Sequence, residues 1–416
     1  MNDADVLVVG AGLTGLRAAY EISRAGASVL LIEQGASVGG RLQTTVQDGF
    51  ILDHGFQVIP SAYPELGLLD GLAGLNMRAF VSGADVFTES GVVTIRDHRS
   101  GLSGILSIIK APVFTVTDLW RLARLTLLSS GNEPKLTGIS TREMLERFGF
   151  SPRCIARFLT PFLAGILVDG SLSIDGGLAR FYLRAFARGH ALLPERGIHA
   201  LPELLASHLG PSHIVLSAEA IRITDREVVL ASGETLRGRR VICATDALRA
   251  AELGSDTQTM PFGGCATVYF SAPHAPVSEA VLCLNGRSEG LVNHVAVVSH
   301  VQPSYAPIGH HLISATVVLT NQSQLWHNSD LAELVLAELA RTWFGEQTKG
   351  WRHLKTFLIP QAVPLRPRLS AGWCQRDGVF YAGDYLSYGS QNGALAAGRC
   401  VAREVLEGLG SSSHLS

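Results

Sequence analysis

Lysine is nearly missing from this chain: of 34 basic side chains only Lys110, Lys135, Lys349 and Lys355 are lysines, so arginine carries almost all of the positive charge. Neither sign of charge dominates. Thirty-four basic against 36 acidic side chains give a formal net charge of -2, without the basic excess that marks a nucleic-acid surface, so no nucleic-acid partner is expected. The six cysteines, at 154, 243, 265, 283, 374 and 400, form no CxxC pair and no His/Cys cluster of zinc spacing. That argues against a structural metal and a disulfide framework and fits a reducing compartment. Apolar runs stop short of the ~18 residues of a spanning helix. The opening "MNDADVLVVG" enters a strand at once, leaving no room for a basic-then-apolar leader. The expectation is a cytoplasmic protein, with peripheral membrane contact and oligomeric state left open.

What is present describes a globular chain. At 416 residues, 47% hydrophobic and with a mean hydropathy of +0.24, it exceeds the ~250–300 residues at which one core usually stops growing, so two domains are expected. From Val6 to Val9 a β-branched run meets Gly10, an amphipathic stretch from Leu13 to Arg24 stops at Gly26, and a second apolar run covers Val29–Ile32. This is strand, helix, strand. Two helical patterns between about 98 and 130 break at Pro112 and restart at a Thr117/Asp118 cap. Residues 140–208 read as mainly helical, interrupted by Pro161 and by Gly176-Gly177, and 213–244 as a small β-meander ending in a buried strand. A strand, a glycine-rich turn and a helix close the chain before the low-complexity "GSSSHLS".

Gly10, Gly12 and Gly15 form G-x-G-x-x-G between the first strand and its helix, with Leu13 and Thr14 opening that helix. The glycines allow a tight turn, close backbone approach to a pyrophosphate and close helix packing, and the helix N-terminus favours an anion. Alone the pattern is weak; its position between strand, helix and strand gives it weight. Glu33, followed by Gln34, stands 18 positions after Gly15, near the ~20 expected of an acid that holds a ribose. Gly39, Gly40 and Arg41 add two flexible positions and a guanidinium suited to a phosphate.

This G-G-R after the acid resembles the flavoprotein superfamily of amine oxidases, protoporphyrinogen oxidase and phytoene desaturases. "FYAGDYLSYGSQNGALAAG" resembles its second FAD motif, "EAIRI" the strand that meets the adenine, and "VICAT" the strand that returns to the nucleotide domain. The resemblance implies FAD as cofactor, held through Gly383, Asp384, Gln391, Asn392 and Ala394 at the C-terminal motif and through Ala220, Ala244 and Thr245 in the middle. It implies an α/β fold: a Rossmann-like FAD-binding domain with a parallel sheet and a β-meander, from segments 1–85, 190–255 and 370–416, interleaved with an α+β substrate domain from 86–189 and 256–369. "DHGFQVIPSAYPE", "ARGHALLPERGIHALPELLA" and "NGALAAG" place the likeness nearest a phytoene-desaturase-like branch.

The same resemblance puts Asp53-His54-Gly55-Phe56-Gln57 at the flavin ring, with Gly55 allowing close approach and Phe56 and Gln57 bordering the substrate. His54, Gln57 and Cys265 are the candidate catalytic groups. The structural readings, His54 as a histidine tied to a backbone carbonyl and Cys265 as a small buried strand residue, are the favoured ones. Amine oxidases of this superfamily often place a lysine where this chain has Cys265, and an aromatic residue where it has Ser390. Both departures favour an apolar substrate. Helices near 102–128 read either as core or as a channel and membrane-facing entrance with Arg121 and Arg124 on the polar side. The favoured function is FAD-dependent dehydrogenation of a small hydrophobic, isoprenoid- or carotenoid-like substrate by hydride transfer to flavin N5. The alternatives are an amine or amino-acid oxidase and a flavin-dependent isomerase or mutase. No nicotinamide site is evident.

Overall fold

The computed structural model describes residues 3–97, 101–127, 138–255, 260–287, 289–319, 324–365 and 371–411. The ends of the helical stretch expected over 98–130, the tail beyond 411 and the boundaries expected at 255/256 and 369/370 touch residues outside that set. The architecture is α/β. Ala4–Val9 is buried along nearly its whole length, as a strand covered on both faces must be. It pairs in parallel with Val29–Ile32 on one side and with Thr235–Cys243 on the other.

That last strand serves two sheets' worth of partners. Its first half pairs antiparallel with Glu227–Leu230, which leads to Ala220–Ile223, while Ile242 and Cys243 pair in parallel with Phe380 and Tyr381. With Ile214–Val215 and Trp373–Arg376 added, the result is one eight-stranded sheet with a meander at its edge. The helices Leu13–Arg24 and Gln391–Ser411 pack together on it. Gly26, at φ +83°, takes the left-handed position that ends the first of them.

A second, seven-stranded sheet runs in the order Arg352–Pro364, Phe262–Ala272, His311–Leu319, Val292–Val297, Leu282–Asn285, Gly83–Thr88 and Gly91–Arg96. Every residue of Phe262–Ala272 is buried. Helices from 141 to 188 lie over this sheet, and the start of several differs from what the sequence suggests. Pro161 falls in the first turn of Thr160–Leu167, where its missing N–H costs nothing. Gly176 and Gly177 begin the helix Gly176–Arg188 behind an Asp175 cap, and a Cβ on Gly176 would sit 2.8 Å from Met144 Cβ, so the glycine serves close packing. The helix Val116–Leu127 is capped by Thr115 rather than Thr117: Thr115 Oγ1 accepts from Asp118 N, and Asp118 reaches back to Thr115 N.

Asp53 ties the parts together. At the end of the strand Phe50–Asp53 its carboxylate accepts from Thr44 Oγ1 (2.6 Å), Ile198 N (2.9 Å) and Tyr305 Oη (2.9 Å), joining a hairpin, a loop and the short helical turn Pro303–Tyr305. Burial outweighs those three donors and lifts its pKa to about 6. An acid raised in the folded state keeps a proton that the unfolded chain releases, so its contribution makes stability fall as pH climbs from about 4 to about 6 and level off above. The span corresponds to about 3 kcal/mol. Asp53→Asn, which accepts on one side and donates to Tyr305 Oη on the other, should be at least as stable as the parent at pH 7 and show a flatter thermal midpoint between pH 4 and 6; a variant with the parent's slope would assign the effect elsewhere.

Candidate functional site

A cavity of about 1090 Å³ lies between the two sheets and the helices, at the upper end of the ~300–1,000 Å³ usual for one ligand. The candidate residues all line it except Gly15 and Asn392. Gly15 supports the site from beneath: a Cβ there would lie 1.9 Å from Gly10 O, so the glycine lets the helix approach the strand. Asn392 is spent on structure, accepting from Glu65 N and donating to Tyr388 Oη.

One end of the cavity is polar. Gly10, at φ +100°, is packed so tightly that a Cβ would lie 2.9 Å from Ala244 O, whereas a Cβ on Gly12 would meet nothing within 4 Å and would project into open cavity. The helix Leu13–Arg24 opens without a side-chain cap and without an acidic residue in its first turn, which leaves its positive end available to an anion. Glu33 braces this loop, with Oε2 accepting from Ala11 N (2.7 Å) and Oε1 from Gly35 N (2.8 Å). Arg41 donates to Ala362 O (2.8 Å) and pairs with Asp384 (2.6 Å). The two charged groups expected to grip a dinucleotide from opposite ends of the sequence therefore meet each other.

Around His54 the contacts differ from the backbone tie considered above. Its Nε2 lies 2.8 Å from Thr45 Oγ1 and its ring stacks on Phe357 at 4.4 Å. Burial, then the charges of Lys355 and His199, hold the imidazole below its ordinary pKa and so neutral at pH 7. Gln57 donates to Arg41 O and His54 O, pinning segment 54–57. A Cβ on Gly55 would lie 2.6 Å from Ile359 Cδ1, so the close approach there is to the second sheet. Cys265 lines the cavity, but burial pushes its thiol up to about 12, which leaves no thiolate for nucleophilic chemistry near neutral pH.

The other end of the cavity is apolar, walled by Phe80, Ile108, Phe114, Leu122, Phe158 and Phe162. Sequence reasoning missed several lining residues. Arg249 binds Ala220 O (2.8 Å) and Glu219, holding the meander strand in place; Asp246, its helix cap, was readable from "TDALRAAE". Ser390, where an aromatic residue was sought, caps the last helix by accepting from Gly393 N (2.9 Å). His294 gave no local signal.

The family model described as flavin containing amine oxidoreductase matches residues 13–406. The chain belongs to this family. That family is one of flavin-containing oxidoreductases, and membership in it supports FAD as the cofactor. The open cradle over Gly12, the uncapped helix start and the paired Arg41 and Asp384 suit a dinucleotide's phosphates. Among curated relatives, protoporphyrinogen oxidase 2 of Arabidopsis thaliana is 46% identical over 166 residues, 38% of this chain and 32% of that protein. The 4,4'-diapolycopene oxygenase of Methylomonas sp is 43% identical over 84 residues, 20% of this chain and 17% of its own. The matched stretches thus span a third or less of these relatives. Whole-chain likeness comes from folds: an oxidoreductase from Methanosarcina mazei (TM-score 0.71, 18% identity, 97% of this chain and 99% of that one) and cyclohexylamine oxidase from Brevibacterium oxydans (0.69, 19%, 98% and 99%).

The thiol environments of this flavin-family protein are open to test. Alkylation of the native protein near neutral pH, followed by peptide mass spectrometry, should label the exposed Cys374 first and leave Cys154, Cys243, Cys265 and Cys283 unmodified until denaturant is added. Early labelling of Cys265 would restore it as a reactive group.

Proposed function

We propose that the protein dehydrogenates a hydrophobic, isoprenoid- or carotenoid-like substrate. The observation that carries this reading is the continuity of the cavity, whose polar dinucleotide end opens into a chamber walled by aromatic and aliphatic side chains. No lysine stands among its described lining residues. The curated relatives include a diapolycopene oxygenase and a 4,4'-diapophytoene desaturase, which supports an extended apolar substrate. In this reading segments 1–85, 190–255 and 370–416 hold FAD, through the glycine turn, Glu33, Gly39, Gly40, Arg41, Thr245 and Asp384. Segments 86–189 and 256–369 hold the substrate. FAD so held would supply the two-electron acceptor for the dehydrogenation. The chain's own residues do the rest: Phe56 and the pinned Gln57 border the reacting region, neutral His54 adds no charge, and the apolar walls exclude water.

The helices Gly101–Lys110 and Val116–Leu127 support a source for such a substrate. Ile108, Leu119 and Leu122 line the chamber. Leu106 and Ile109, and Val116 (81% exposed) and Trp120 (63% exposed), point to solvent at helical spacing. Lys110, Arg121 and Arg124 belong to the same pair of helices, and the Arg124 guanidinium lies 5.6 Å from the Trp120 ring. Apolar side chains ringed by cations suit an anionic bilayer surface.

Under anaerobic conditions, detergent-dispersed isoprenoids should bleach the flavin absorbance; bleaching by amines alone would overturn the reading in favour of an amine oxidase. Gly12→Val should lower flavin content at least about tenfold while leaving the thermal midpoint of the flavin-stripped protein unchanged, because the added atoms enter open cavity. Gly10→Val should lower both, since it strains a positive φ and meets Ala244 O. Finally, the protein should float with phosphatidylglycerol-containing vesicles at low salt, and Ile109→Glu/Trp120→Glu should stay at the bottom of the gradient with its flavin intact. A parent protein that ignores both anionic and neutral vesicles would remove the membrane from the account.

A further inference from the structure

The apolar chamber contains one polar position that the proposed dehydrogenation does not use. His294 lies in the strand Val292–Val297 and is 4% exposed, yet it lines the cavity together with Leu282, Leu284 and Cys265. Cross-strand pairing places Leu284 on one side of it and Thr316 on the other, with Thr267 next in the same row. A Cβ on Gly165 would approach His294 Nδ1 to 2.9 Å, so the helix Thr160–Leu167 presses its backbone against the ring, and the Phe56 ring lies 5.1 Å away.

The hydrogen bonds around His294 decide which nitrogen carries its proton. Asn293 Nδ2 donates to Pro161 O at 2.9 Å, and because that carbonyl only accepts, the amide nitrogen must face it. The same Nδ2 lies 3.0 Å from His294 Nδ1, so its second hydrogen goes there and Nδ1 is the acceptor. Burial drives the imidazole pKa down to about 4, which makes the ring neutral in the working range. The single ring proton is then on Nε2, and Nε2 has no hydrogen-bond partner. Directly across the ladder Thr316 Oγ1 also lacks one. Two adjacent orphaned polar groups in a native interior call for a reason.

We infer that His294 forms a subsite for an oxygen function, a carbonyl, hydroxyl or ether, carried by an otherwise hydrocarbon substrate. This rests on the apolar-substrate reading above and narrows it: the substrate is an oxygen-bearing isoprenoid rather than a pure hydrocarbon. The Nε2–H donates to the substrate oxygen and so sets how the chain is registered along the chamber. His294 acts here as a specificity residue, without a role in proton or hydride transfer.

The experiment is a pair of titrations of the FAD-loaded protein in detergent, followed by the perturbation of the flavin spectrum. The probes are geranylgeraniol and the same isoprenoid chain lacking its hydroxyl. The parent should bind the alcohol about tenfold more tightly, the effect of one hydrogen bond made in place of a buried donor left unpaired. His294→Phe should bind both probes alike, with the hydrocarbon bound at least as well as by the parent. His294→Gln, which keeps a donor, should retain part of the preference and stands in if the phenylalanine variant fails to fold. Equal binding of both probes by the parent, or a preference that survives in His294→Phe and is equally full in His294→Gln, overturns the subsite while leaving the apolar-substrate reading in place. A flavin spectrum moved by neither probe overturns both.

Discussion

The close contact between the first long helix and the last holds everything else in register. A Cβ on Gly398 would lie 2.3 Å from Thr14 O, and Thr14 Oγ1 donates to Ala394 O across 380 residues of sequence. Only backbones stripped of side chains come this near. Beside that contact Arg17 is buried, paired with Glu21 (2.7 Å), while Glu65 takes a two-pronged bond from Arg399 (2.9 and 2.7 Å) and is held at its own N–H by Asn392. A buried charge set of this kind is intolerant of losing one member, so it locks the geometry more surely than it adds stability.

From that anchor the site follows. The glycine turn at the head of one helix and the Gly383-Asp384 segment before the other are brought to the same end of one sheet, where Arg41 and Asp384 meet. Thr235–Cys243 extends the arrangement, since its far half carries the meander and its near half ends in Ala244 and Thr245 at the cavity. The second sheet then closes the chamber: Gly55 abuts Ile359, Arg41 reaches Ala362, and Asp53 ties its hairpin to the turn at Tyr305 that connects two strands of that sheet. The cavity thus takes its polar lining from loops of the first sheet and its apolar lining from helices and from the second sheet.

Local chemistry made the nucleotide end legible. The run from Ala4 to Ile32 reads as strand, turn and helix because glycine placement, period and termination agree over thirty residues, and the observed helix has the expected bounds, Leu13–Arg24. Where the reading slipped, a tertiary contact had recruited the residue. Gly176 and Gly177 look like breakers, yet Gly176 is small because Met144 packs on it. Thr117 looks like a cap, but Thr115 and Asp118 form the reciprocal pair and Asp118 is further tied to Ser151. Ser390, in place of an aromatic residue, turns out to cap a helix.

By itself the sequence determined the fold class, the strand, glycine turn and helix that open the chain, and the family, since these depend on residues close together along the chain whose backbone needs are peculiar to glycine and to helix ends. Only the tertiary structure decided the chamber. Its walls come from helices and strands scattered from Phe80 to His294, the histidine it presents lies on a strand where it carries no periodic signature, and the protonation of His294 and Asp53 depends on burial by segments far away in sequence. Desolvation is a property of the assembled interior and has no local spelling.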